Sequence, residues 1–155
     1  MRRRAGDDAL VREIEPLGPE VAALLDAWSY EPPYDFYNGE DEPEPVLNPE
    51  RFFVVREGDE VIGFYYFHEQ ERTVEIGLGL RPDLTGRGLG LQFFLEGVSF
   101  AHGRFPNRRV TLNVAAFNER AITVYERAGF KRTGEHLRTF ERWGEVPFVQ
   151  MEEAQ

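Results

Sequence analysis

A glycine-rich segment between a predicted strand and a predicted helix constrains the fold of this chain more than any other feature. The segment, residues 85–90, reads Thr-Gly-Arg-Gly-Leu-Gly, and it follows the apolar, strand-like residues 74–80 and the breaker pair Arg81-Pro82. The helix-like residues 91–98 come next. Glycine allows the backbone to approach a ligand closely, and the first N–H groups of a helix are free at the positive end of its dipole. The pattern therefore predicts a phosphate-binding turn in a fold that alternates strands and helices.

Two nucleotide-binding architectures fit this segment poorly. The Rossmann turn requires G-x-G-x-x-G at the first βα turn and an acidic residue about 20 residues later, whereas these glycines are spaced G-x-G-x-G past the middle of the chain. A P-loop requires Gly-Lys-Ser/Thr, whereas Leu91 and Gln92 follow Gly90. Both nucleotide-binding interpretations are therefore disfavoured.

A second pattern downstream makes the assignment specific. Together with the glycine-rich segment, it resembles the GNAT superfamily of acyl-CoA N-acyltransferases, whose second signature is Asn-x-x-Ala-x-x-x-Tyr-x-x-x-Gly-Phe. The residues that match this signature are Asn118, Ala121, Tyr125, Gly129 and Phe130. The resemblance covers at least residues 61–152, and residues 28–37 also look like an uncharacterised branch of that family.

The pyrophosphate loop of the family is commonly written Arg/Gln-x-x-Gly-x-Gly/Ala. Gly88 and Gly90 match it, but Thr85 stands where Arg or Gln is usual. Main-chain N–H groups do not depend on that side chain, so we expect phosphate binding to survive. The resemblance implies that acetyl-CoA binds as cosubstrate through Leu78, Gly79, Leu80, Gly86, Arg87, Gly88, Leu89, Gly90, Leu91 and Asn118.

The resemblance also implies the fold. We expect an α/β (α+β) architecture, a mixed, splayed sheet of about six to seven strands flanked by helices, in a single N-acetyltransferase domain over residues 1–155. Gly77 and Gly79 lie inside a strand, where glycine marks a bulge or a close backbone approach. In the family a bulge here separates this strand from the next, and the pantetheine arm pairs with the backbone of Leu78 and Leu80.

The sequence predicts helices at residues 19–27, 88–102 (ended by Gly103 and Pro106) and 119–128 (capped by Gly129). Predicted strands lie near Leu10-Val11 and at residues 52–56, 61–68, 74–80, 109–114, 130–140 and 146–151. Residues 38–48, which are rich in Asp, Glu and Pro, are predicted to form an exposed loop.

The chemistry of acetyl transfer suggests one catalytic residue. The attacked thioester expels a thiolate that needs a proton, and a phenol with a pKa near 10 can donate it. Tyr125 shares a helix face with Asn118 and Ile122, and an isolated tyrosine there would be assigned to the core. The family signature around it instead makes Tyr125 the candidate general acid for direct attack by a primary amine.

The general base is less determined by the sequence. One subgroup of the family has a glutamate where this chain has Asn113, and an amide cannot act as a base. Glu75 is the next candidate because it lies on the same strand face as Gly77 and Gly79. A solvated or paired carboxylate is an equally good account of Glu75, and Asp35 or a relay of water remains open.

The acceptor is expected to be a basic amine, on a small molecule or a peptide, docked beside residues 30–37, because the net negative charge of the chain and Asp35 favour a cationic partner over an anionic one. The predicted substrate-binding residues are Tyr30, Tyr34, Asp35 and Tyr37. The same aromatic residues would also suit a packed lid without substrate contact.

Composition narrows the partners further. The chain has 155 residues, a formal net charge of −10 and no cysteine, which argues against nucleic acid as a partner and against Cys-ligated metal. Because His68, His102 and His136 stand far apart, no metal site is predicted. No apolar run approaches the ~20 residues of a membrane span, so we expect no membrane partner and a cytoplasmic location, and we leave a homodimer open.

Two other functions remain alternatives. A non-catalytic acyl-CoA-binding sensor or partner module would hold acetyl-CoA without turnover. A mononucleotide-binding domain would bind ATP or NAD in preference to CoA.

Overall fold

The structure is a computed structural model that describes residues 12–32, 34 and 48–154. In chain order its elements are β1 (Arg12–Pro16), α1 (Pro19–Asp26), β2 (Phe52–Glu57), β3 (Glu60–Glu69), β4 (Thr73–Leu80), α2 (Gly90–Arg104), β5 (Arg109–Ala115), α3 (Glu119–Arg127), β6 (Phe130–Phe140) and β7 (Gly144–Glu153). Short 3-10 turns at Pro49–Arg51 and Pro82–Leu84 precede β2 and follow β4.

The strands of the described residues form one seven-stranded sheet in the order β1-β2-β3-β4-β5-β7-β6. Every neighbouring pair is antiparallel except β4 and β5, which are parallel. The β4–β5 pairing extends only from Thr73 opposite Arg109 to Glu75 opposite Thr111. Beyond Glu75 the two central strands separate, which confirms the predicted mixed and splayed sheet.

The helices cover the two faces of the sheet unequally. α2 buries Phe93, Phe94 and Ala101 against the sheet, and α3 joins the same core through Ile122. α1 packs on the other face, over β2 and β3, in a smaller cluster that includes Val21, Leu25, Val54 and Val61. Because alternate residues of a strand point to opposite faces, Glu75 lies on the α1 face, between the core residues Val74 and Ile76.

The structure refines the predicted element boundaries. α2 continues through Gly103 to Arg104, because the N–H of Phe105 still donates to the Ala101 carbonyl at 2.8 Å. The sequence prediction ended this helix too early. Leu10 and Val11 lie outside the described residues, and the first described strand begins at Arg12.

The expected bulge at the strand glycines is absent from the described β3–β4 pairing. The register runs without a shift from Leu80 opposite Gly63 to Val74 opposite Glu69. A Cβ atom on Gly79 would lie 2.4 Å from Cε1 of Phe64. Glycine is required there because an aromatic ring lies against the strand backbone, and the splay arises on the other edge of β4.

None of the helices in the described ranges is long and apolar enough to cross a membrane.

Candidate active site

The opening between β4 and β5 exposes backbone groups of β4. The N–H of Arg81 donates to the Ile62 carbonyl on β3 at 2.8 Å. Backbone groups alternate in direction along a strand, so those of Leu78 and Leu80 point away from β3, towards the side of β5. Since pairing with β5 ends at Glu75, both residues lie beyond the last paired position.

Tyr30 reaches the end of this opening from the segment after α1. Its hydroxyl donates to the Leu80 carbonyl at 2.9 Å. Burial raises the pKa of Tyr30 to about 12, so at neutral pH the hydroxyl keeps its proton and remains a donor. The Leu80 carbonyl, one of the groups predicted to pair with a ligand, therefore already accepts one hydrogen bond.

The glycine-rich turn begins at the same end of β4. The Thr85 hydroxyl donates to the Pro82 carbonyl at 2.7 Å, so this side chain is used within the turn. Gly86 and Gly88 have φ values of 71° and 78°, in the left-handed region that favours glycine. A side chain at either position would strain this backbone path.

α2 starts directly after the turn, and none of the described residues accepts a hydrogen bond from its first N–H groups. Leu89 occupies the N-cap position and its side chain caps nothing. The N–H of Phe93 donates to the Leu89 carbonyl at 3.1 Å. The N–H groups of Gly90 and Leu91 come before that bond, at the positive end of the helix dipole.

Three charged side chains, Arg81, Asp83 and Arg87, lie in or beside the glycine-rich turn. The Arg81 guanidinium, whose Nε lies 2.6 Å from Asp83 Oδ1, holds the pKa of Asp83 below its ordinary value. The Asp83 carboxylate is therefore paired at neutral pH. Arg87 is exposed, and its Nη1 lies 3.5 Å from the Asp83 carbonyl oxygen.

Arg120, in the first turn of α3, is a site residue that no motif in the sequence indicated. A Cβ atom on Gly86 would lie 3.6 Å from Nη1 of Arg120, so this guanidinium lies beside the glycine turn. The same guanidinium stacks over the ring of Tyr34, 4.1 Å from its centroid. A basic residue in the first turn of a helix opposes the helix dipole, and this unfavourable placement was the available signal.

α3 begins at the predicted cap. Asn118 Oδ1 accepts from the N–H of Ala121 at 3.2 Å, which confirms the cap. Tyr125 is partly buried against the core, with its ring centroid 4.6 Å from that of Phe94 on α2. The ring thus has a packing role on the α2 face of the sheet, whatever its hydroxyl does.

Glu75 and Asn113 meet on the opposite face, where β4 and β5 begin to separate. The Asn113 amide nitrogen donates to Glu75 Oε2 at 3.0 Å. Asn113 Oδ1 is buried and accepts no hydrogen bond from any described residue. Asn113, which stands where one subgroup of the GNAT superfamily has a glutamate, is therefore the direct hydrogen-bond partner of Glu75.

An open, solvent-accessible cavity of about 550 Å³ lies on this face. It is lined by Phe52, Phe64, Tyr66, His68, Glu75, Gly77, Leu78 and Arg138. Tyr30 and Tyr34 lie instead near Leu80 and Arg120, and Asp35 and Tyr37 lie outside the described residues. Of the predicted site residues, Glu75 and Leu78 therefore line the same cavity. The glycine turn lies near α3, because Arg120 of that helix is beside Gly86.

Comparison with known proteins gives several matches. The acetyltransferase (GNAT) family model matches residues 18–130. A mycothiol acetyltransferase of Streptomyces bingchenggensis is 40% identical over 91 residues, which are 56% of this chain and 29% of that protein. A 5-NmdU N-acetyltransferase of Pseudomonas phage PaMx11 is 33% identical over 97 residues, 61% of this chain and 66% of that protein. The alignment with the first relative thus spans less than a third of that protein's length.

Solved structures share the fold at low sequence identity. A chimeric spermidine N-acetyltransferase from Vibrio cholerae superimposes with a TM-score of 0.74 at 21% identity, covering 93% of this chain and 95% of that one. An aminoglycoside N(6')-acetyltransferase from Legionella pneumophila gives a TM-score of 0.72 at 20% identity, covering 92% and 91%. With the splayed sheet and the glycine turn, the family match shows that this chain belongs to the GNAT family of acetyltransferases.

Proposed function

We propose that this protein is an N-acetyltransferase that moves the acetyl group of acetyl-CoA to a primary amine by direct attack. The single observation that carries the proposal is the end of β4–β5 pairing at Glu75, next to a glycine turn with free helix N–H groups. An extended ligand could pair with Leu78 in the opening while its phosphates contact the turn. The proposal treats residues 1–155 as one domain.

Arg120 strengthens the cofactor side of the proposal. Thr85 offers no cation to a pyrophosphate, whereas Arg120 lies beside Gly86. The chain carries a net charge of −10, so an anionic cofactor needs local positive charge to bind. Within the described residues, no carboxylate forms an ion pair with Arg120, and its donors are therefore available to a phosphate.

The two proposed catalytic groups lie on opposite faces of the sheet. We assign proton removal from the attacking amine to Glu75, which the Asn113 amide orients, and protonation of the departing thiolate to Tyr125. The opening between β4 and β5 connects the two faces, so a thioester within it would have the acceptor on one side and Tyr125 on the other. Attack on the carbonyl, collapse of the oxyanion and release of CoA thiol require no covalent enzyme intermediate.

The first prediction concerns cofactor binding. At 100-fold excess over its Kd, acetyl-CoA should raise the free energy of unfolding by roughly 2.7 kcal/mol. For a domain of this size, Tm should rise by about 2–4 °C per kcal/mol, which differential scanning fluorimetry can measure. ATP and NAD serve as controls. A shift with either control but none with acetyl-CoA would contradict the assignment, and binding of acetyl-CoA without thiol release from any amine would favour a sensor module.

The second prediction concerns Glu75. Glu75→Gln keeps the size of the side chain and an oxygen that can accept from Asn113, but removes the basic carboxylate. We expect kcat/KM to fall by about 10², the lower end of general acid–base effects, because water can partly replace the base. Glu71→Gln, at the exposed turn before β4, is the matched control, and equal rates for both variants would remove Glu75 from the mechanism.

A further inference from the structure

The cavity that contains Glu75 also contains a cation from the far edge of the sheet. Arg138 lies on β6, three positions from β4 in the strand order, and it lines the same cavity of about 550 Å³ as Glu75. A cavity of this size accepts a small molecule or the end of a peptide. One ligand can therefore contact a carboxylate and a guanidinium together.

The Arg138 side chain is held by its neighbours in β6 and β7. Its guanidinium stacks on the ring of Phe148, 4.6 Å from the centroid, and its Nε–H donates to His136 Nε2 at 3.3 Å. Phe148 is itself buried, at 6% exposure. Stacking on a fixed ring and one bond at Nε restrict the guanidinium while leaving its Nη donors for an anion.

The charge of Arg138 is not matched by any described carboxylate. No Asp or Glu oxygen of the described residues lies within 4 Å of its guanidinium, although the chain has 28 acidic residues for 18 basic ones. By contrast, Arg12, Arg56 and Arg81 all form ion pairs. An arginine without a carboxylate partner among the described residues, stacked on a ring at the exposed rim of a cavity, is suited to bind an oxyanion from a ligand.

The other end of the cavity is suited to the amine. Glu75 and the unpaired acceptor Asn113 Oδ1 lie where β4 and β5 separate. Glu75 lines the cavity and can accept hydrogen bonds from an amine, and the Asn113 amide, which donates one of its two N–H groups to Glu75, holds the carboxylate in place.

We propose that the acceptor carries an oxyanion, a carboxylate or a phosphate, in the same molecule as the attacked amine, and that Arg138 binds this oxyanion. The aromatic side chains of Phe52, Phe64 and Tyr66 line the cavity that both groups enter. Arg138 is then a specificity-determining residue: it selects the acceptor without taking part in proton transfer. This inference rests on the proposed acetyl transfer.

The test compares matched acceptors. Thiol release from acetyl-CoA is measured with ω-amino acids from glycine to 6-aminohexanoate against their carboxamides, and with O-phosphoethanolamine against ethanolamine. At least one anionic acceptor should exceed its neutral partner in kcat/KM. Arg138→Gln should reduce kcat/KM for that acceptor by about 10- to 100-fold, the range of a charge-assisted contact, and leave its neutral partner within about twofold. The carboxylate and phosphate series show which oxyanion is used.

Arg142→Gln is the matched control, because Arg142 also stacks on an aromatic ring, that of Trp143 at 4.7 Å, in the same hairpin but outside the cavity lining. Arg142→Gln should leave kcat/KM unchanged for the anionic acceptor and for its neutral partner. Arg138→Lys, which keeps the positive charge, should retain part of the preference for the anionic acceptor. If amines are acetylated but neutral and anionic acceptors react equally, or if Arg138→Gln lowers both alike, the inference is wrong while the acetyl transfer stands. If no amine is acetylated although acetyl-CoA binds, the proposed function itself fails.

Discussion

Tyr125→Phe should lower the single-turnover rate of acetyl transfer by about 10²–10⁴, the range of general acid catalysis. The substitution removes the hydroxyl proton but keeps the ring that packs on Phe94 at 4.6 Å, so the fold should be preserved. Rapid mixing of the enzyme–acetyl-CoA complex with excess amine, followed by thiol detection, measures this rate. Single-turnover conditions are needed because slow product release would hide the loss in kcat.

Two measurements distinguish chemistry from packing at Tyr125. The Kd of acetyl-CoA should be nearly unchanged, since the proposed role concerns only the transition state. Tyr65→Phe is the matched control: the Tyr65 hydroxyl donates to the Phe93 carbonyl at 2.6 Å within the core. That variant should lose about 1–3 kcal/mol of stability and keep its rate. A Tyr125→Phe enzyme with the parental single-turnover rate would leave Tyr125 with a packing role alone.

Gly88→Asp should weaken acetyl-CoA binding by about 100-fold or more. The new carboxylate would lie in the turn that is proposed to hold the pyrophosphate, and two like charges about 4 Å apart near a protein surface repel by about 4 kcal/mol. Nothing lies within 4 Å of a Cβ atom at Gly88, so the side chain itself would cause no clash. Isothermal titration with acetyl-CoA measures the loss.

The effect of backbone strain at Gly88 needs a separate control, because a φ of 78° is strained for any other residue. Gly58→Asp supplies it: Gly58 has a φ of 61°, is equally open, and lies in the β2–β3 turn. Both variants should lose similar stability, while only Gly88→Asp should lose cofactor affinity. If Gly88→Asp binds acetyl-CoA as the parent does, the phosphates bind elsewhere.

Local sequence signals predicted most of the fold. The Asn118 cap and the Gly129 end of α3 were predicted because capping depends on a few adjacent residues, and both are found. Apolar runs bounded by turn residues predicted the strands, because these signals too lie in residues close together in the chain. The end of α2 was less well predicted, because the buried Phe105 and its bond to Ala101 depend on the core.

The strand glycines show where local signals become ambiguous. A glycine in a strand indicates either a bulge or a close approach, and the sequence does not contain the neighbour that decides between them. The ring of Phe64, which pairs with Gly79 across β3 and β4, decides for close approach. The separation of β4 from β5 was expected from the family resemblance, but its position after Glu75 follows from strand register.

The sequence by itself determined the glycine turn, the helix that follows it and the signature helix with Tyr125, because each is encoded by residues close together in the chain. Only the tertiary structure decided that Arg120 lies beside Gly86, that Asn113 bonds Glu75, and that Arg138 lines the cavity of Glu75. Glu75 and Arg138 are far apart in sequence and come together through the strand order β4-β5-β7-β6. Such contacts depend on register and packing across the whole sheet, which no local pattern of residues specifies.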